Sequence, residues 1–190
     1  MKKILIRTSL VLLLVFGMAA NAAALPLMTG GISFSGDYAL PSGTTLATAD
    51  SFEDFSNVKV QSGTGTWLGV TQNTVADFNG FQFNPALAVT PLWTFDFGGK
   101  TYSLDASAST MTFQRSGGPG DLLKLDVQGT GTIHGTGFDD TPGFWNITAN
   151  SGGGTFSFSS SNSTVVPEPL TLILLGSGLL GLAGLRRKLS

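Results

Sequence analysis

The sequence predicts an all-β domain built as a β-sandwich, of which a jelly roll is one form. Through the middle of the chain Phe, Val, Thr and Trp alternate with polar residues. That period of two sends successive side chains to opposite faces of a strand. Clusters of Gly, Asn, Asp and Ser break these runs at short intervals, and only a weak stretch near residues 50–58 carries apolar residues at helical spacing. Many short strands punctuated in this way favour a sandwich over a helical or α/β architecture.

The two ends must be set aside before the fold is read. Residues 1–24 have the three parts of a secretory signal peptide: Lys2, Lys3 and Arg7, then an apolar run over 10–16, then small residues offering Ala-x-Ala at Ala20/Ala22 or Ala22/Ala24. The apolar run is short and no twin-arginine pair precedes it, which points to general secretion and a signal peptidase. The domain proper spans residues 25–158 and is long enough for one core.

Over residues 25–165 there are eleven acidic and four basic side chains, a net charge of −7. Such a surface repels phosphate, so nucleic acid is excluded as a partner. Cysteine is absent from the chain, which removes disulfides, thiolate metal sites and cysteine nucleophiles.

The clearest strand pair is a hairpin over 92–97 and 100–105. Trp93, Phe95 and Phe97 fall on one face, with Thr94 and Asp96 on the other. Gly98-Gly99 supplies the positive φ that a two-residue turn needs. A second hairpin joins 110–115 to 122–127 through a Gly- and Pro-rich turn. Further strands are expected at 31–35, 58–61, 66–71, 80–83, 130–135, 144–149 and 155–159. Residues 159–165, nearly all Ser and Thr, read as a flexible spacer.

Residues 166–190 have an order of their own. Pro167-Glu168-Pro169 enforces an extended segment, because proline fixes φ and restricts the residue before it. An uncharged span over 170–185 and the basic cluster Arg186, Arg187 and Lys188 follow. At about 1.5 Å per residue the span covers about 24 Å, against the roughly 30 Å of a hydrocarbon core. It can cross a membrane only marginally, with the basic cluster on the cytoplasmic side. This suits a transient anchor better than a permanent one.

In these residues the chain resembles the PEP-CTERM proteins, which exosortases sort in Gram-negative bacteria. The resemblance implies that Pro167, Glu168, Pro169, Arg186 and Arg187 form the recognition signal for an exosortase-type membrane enzyme. It also implies export through the inner membrane, removal of the tail, and a place at the cell surface or in an extracellular matrix where exopolysaccharide is a partner.

For the domain itself the residues point to no catalytic set. His134 is the only histidine, and its place in an expected strand reads as an exposed strand residue rather than a general base. No Gly-x-Ser-x-Gly motif accompanies it. Asp139 and Asp140 are the candidates for binding a hard cation, but their spacing matches no calcium loop, so neither a metal nor a cofactor is assigned. Trp145 is the candidate for stacking a sugar, since it adjoins Phe144 and one of the two must face outward on a regular strand. The function expected first is a non-catalytic surface or biofilm-matrix protein. A carbohydrate-binding module comes second and a glycan hydrolase third.

Overall fold

The computed structural model describes residues 25–117, 122–152 and 155–162. The all-β class holds. The strands are β1 (Gly30–Ala39), β2 (Ser51–Phe52), β3 (Asp54–Gly63), β4 (Asp77–Phe78), β5 (Phe81–Gln82), β6 (Val89–Phe97), β7 (Lys100–Ala106), β8 (Thr112–Ser116), β9 (Lys124–Gly135), β10 (Thr141–Asn150) and β11 (Thr155–Asn162). Gly98 and Gly99 adopt φ of +60° and +74°, and they make the tight turn between β6 and β7 that the glycine pair predicts.

The sheet differs from the expected sandwich. Its strands run β3-β1-β11-β10-β9-β7-β6-β4 in one continuous path, with each neighbouring pair antiparallel. β8 lies beside the first half of β9, and β7 beside the second half. The two ends of the path then meet. Val60 N–H donates to Thr74 O at 2.9 Å and Ala76 N–H to Val58 O at 3.1 Å, and Lys59 pairs with Val75. Two residues later Phe78 pairs with Trp93 of β6. The segment 74–78 therefore links β3 to β6 and closes the sheet as a barrel, which leaves fewer exposed edges than two open sheets.

A barrel of about eight strands has an interior just wide enough for side chains to fill. Here aromatics fill it. Phe34 on β1 lies 5.2 Å from Phe78, 5.3 Å from Trp93 and 5.8 Å from Phe95, ring centre to ring centre. The small β2–β5 sheet contributes Phe52 and Phe81, which contact Tyr38 at 5.5 Å and Trp145 at 5.8 Å respectively. Leu104, Leu125, Val127, Ile133 and Ile147 are fully buried among the inward positions.

Local expectations shift in four places. Residues 50–58 form β2 and the start of β3, because Phe52, Phe55 and Val58 are drawn into the barrel. The strand expected at 66–71 is a 3-10 turn over Gly65–Trp67, with Thr66 N–H tied to Thr29 O at 2.8 Å and Trp67 buried. The strands expected at 122–127 and 130–135 are one strand, β9, running through Gly129. β11 continues to Asn162, paired with Gly30, so the first residues of the expected spacer belong to the sheet.

Among the described residues no helix is long and apolar enough to cross a membrane. The signal peptide at 1–24, the sorting residues Pro167, Glu168, Pro169, Arg186 and Arg187, and the span at 170–185 all lie outside the described residues.

Candidate functional site

β10 alternates strictly. Thr141, Gly143, Trp145, Ile147 and Ala149 are buried, while Pro142 and Phe144 are exposed and Asn146 and Thr148 intermediate. The register carries that alternation to its neighbours: Phe144 pairs with Thr130, Asn146 with Gln128, and Gln128 on its other side with Thr112. These side chains share the outer face of the sheet and line a groove of about 410 Å³.

Trp145, expected as the stacking residue, is instead 2% exposed and forms the floor beneath that groove. Its Nε1–H donates to Thr130 O at 3.2 Å, and Phe81 meets its ring edge-on. The exposed aromatic is Phe144, at 63%. A signal for this was present in the sequence. Within Phe144-Trp-Asn-Ile-Thr-Ala149, Trp145 keeps step with Ile147 and Ala149, whereas Phe144 keeps step with Asn146 and Thr148.

The groove wall is polar but uncharged. Thr110 Oγ1 and Thr130 Oγ1 bond each other at 2.7 Å, and Thr130 N–H donates to Thr110 Oγ1 at 2.9 Å. Among the described residues, no hydrogen bond engages the side chains of Gln128 or Thr112. Two positions along the same face of β9 from Gln128, Asp126 accepts a hydrogen bond from Thr148 Oγ1 at 2.6 Å.

Further along β9 stands His134. Its Nδ1 lies 2.7 Å from Asp140 Oδ1 and its Nε2 3.4 Å from Asp105 Oδ2. With a carboxylate facing each ring nitrogen, the imidazole crosslinks β7, β9 and the turn before β10. Ser103 is its register partner on β7, yet Nε2 faces Asp105, so a Ser–His–Asp relay is not assembled. Asp139 is held through its backbone, donating to Pro26 O at 3.1 Å and accepting from Thr141 Oγ1 at 2.9 Å. Among the described residues no group of three or more His, Cys, Asp or Glu is placed to hold a metal ion.

Residues 165–188 match the family model of the PEP-CTERM protein-sorting motif. The chain therefore carries the address of a protein that an exosortase, a membrane enzyme, sorts to the cell surface. The motif implies recognition by an exosortase, with export and transient membrane anchoring before surface display. No curated protein and no solved structure matches the chain, so the barrel is read from its own residues.

Proposed function

We propose that this barrel is a non-catalytic component of the surface or extracellular matrix of a Gram-negative bacterium, with exopolysaccharide as its surroundings. The observation that carries the reading is the sorting motif at 165–188, joined to a domain whose groove is lined by uncharged side chains. A signal peptidase removes residues 1–24. Residues 170–185 then hold the chain in the inner membrane with Arg186, Arg187 and Lys188 in the cytoplasm, until the exosortase-type enzyme releases the domain outward.

The hydrolase alternative has less support. Glycoside cleavage needs two placed carboxylates, one on each side of the scissile bond. Among the described residues no carboxylate lines the groove over β8–β10, and Asp105 and Asp140 are both directed at His134. Deleting the gene tests the matrix reading: cell aggregation and matrix cohesion should fall, and unchanged cohesion across several growth conditions would overturn it.

A further inference from the structure

The geometry points to the groove over β8, β9 and β10 as a binding site for an uncharged oligosaccharide, with Phe144 as its stacking platform. The first argument is the platform itself. Phe144 is 63% exposed on the outer face of a strand paired on both sides, so its ring is open to a partner at the groove. Its π-face carries partial negative charge, and the C–H face of a pyranose is apolar and weakly positive, so the two attract when stacked.

The second argument is the polar groups around that ring. Asn146 lies two residues along β10 from Phe144, Gln128 sits across from Asn146, and Thr112 lies beyond Gln128. Carboxamides and hydroxyls both donate and accept, as sugar hydroxyls do. The Gln128 and Thr112 side chains have no other engagement among the described residues. An aromatic plate beside two amides and a hydroxyl matches the mixed apolar and hydroxylated surface of a sugar better than it matches a peptide or a lipid.

Charge decides which sugar. Among the described residues no charged side chain lines the groove, Asp126 stands beside it, and the 25–165 segment carries −7. Uronate or sulfated glycans are repelled by that field, whereas neutral hexoses are not. Trp145 underlies the groove, bonded to Thr130 O, and the Thr110–Thr130 hydroxyl pair ties its β8 side to β9.

This assignment rests on the matrix reading, which supplies polysaccharide as the partner. The test uses the exported protein purified from producing cells. Its binding is measured by calorimetry against neutral cello-, malto- and manno-oligosaccharides, with oligogalacturonate as the anionic comparison. Binding to at least one neutral series and none to oligogalacturonate is expected. Phe144→Ala should weaken it by about tenfold or more, and Gln128→Ala by a smaller factor, with unchanged thermal midpoints. Leu68→Ala, an exposed apolar residue on another loop, should bind as the parent does. Absence of binding to every neutral series, or a Phe144→Ala protein that binds normally, overturns the site. If the site falls while gene deletion still weakens the matrix, the matrix reading stands alone. If binding holds while deletion changes nothing, the site stands and the matrix reading falls.

Discussion

Trp145 and Gly129 face each other directly across the β9–β10 ladder, and the indole occupies the space that a side chain at position 129 would need. A Cβ at 129 would come within 3.0 Å of Trp145 Cζ2. The glycine is thus the complement of the tryptophan, and together they let β9 run unbroken beneath the groove. Gly129→Val should destabilise the domain by about 1–3 kcal/mol through overpacking. Trp145→Ala should cost about 3–5 kcal/mol through the cavity it leaves. Denaturant unfolding followed by circular dichroism measures both, and a neutral Gly129→Val would contradict the packing described.

Closure of the barrel depends on the segment 74–78, and its Ala76 N–H is one of the few bonds across the seam. Ala76→Pro removes that donor, leaves Val58 O unpaired and should cost about 1–3 kcal/mol. Hydrogen exchange should accelerate at Val60 and Phe78 before it does at Ile133 or Ile147, which lie far from the seam. Uniform acceleration across all strands would show that the seam does not open locally.

Arg115 on β8 fastens the 46–50 segment to the sheet. Its Nε–H donates to Leu46 O at 2.9 Å, a guanidinium N–H donates to Ala49 O, and Asp50 Oδ1 lies 3.6 Å away. The guanidinium also rests over Phe113, 4.7 Å from the ring centre. Arg115→Ala leaves those carbonyls without their donor and should cost about 2 kcal/mol. Limited proteolysis should then cut within 41–50 first, and protection equal to the parent would argue against the clasp.

Burial raises the hydroxyl pKa of Tyr38 and of Tyr102 above the ordinary tyrosine value. A raised folded-state value means that the folded domain holds the phenolic proton more tightly than the unfolded chain does. The associated stability is fully present below the ordinary value near ~10 and is lost as pH rises through the folded-state values. Tyr38 also donates to Asn150 O at 2.9 Å, a bond that deprotonation removes. The melting temperature should therefore be insensitive to tyrosine ionisation up to about pH 9 and fall beyond about pH 10. Tyr38→Phe should blunt that fall, and an identical alkaline profile in Tyr38→Phe would contradict the assignment.

Much of this was legible in the sequence, for reasons that differ by element. The β6–β7 hairpin was readable because Gly98-Gly99 permits the turn and the alternation on either side fixes its faces. The break between 127 and 130 was not readable as continuous strand. Gln128-Gly129 has the composition of a turn, and only the three-dimensional neighbour Trp145 explains why a glycine belongs there. Closure into a barrel was equally hidden, since it depends on the single short segment 74–78 pairing on both sides. Within the dipeptide Phe144-Trp145 the exposed member is Phe144, not the Trp145 that the sequence reading favoured. The sorting signal was legible because Pro167-Glu168-Pro169, an uncharged span and a basic cluster follow one another within 165–188, the stretch that the family model matches.

The most direct test of the account is the C-terminus of the protein recovered from the cell surface. Intact-mass and peptide mass spectrometry should find a new C-terminus near residues 166–169, with the 170–185 span and Arg186, Arg187 and Lys188 gone. Glu168→Ala should leave the tail in place and the protein in the inner membrane. A surface-displayed protein that retains its full basic tail would contradict sorting by exosortase processing.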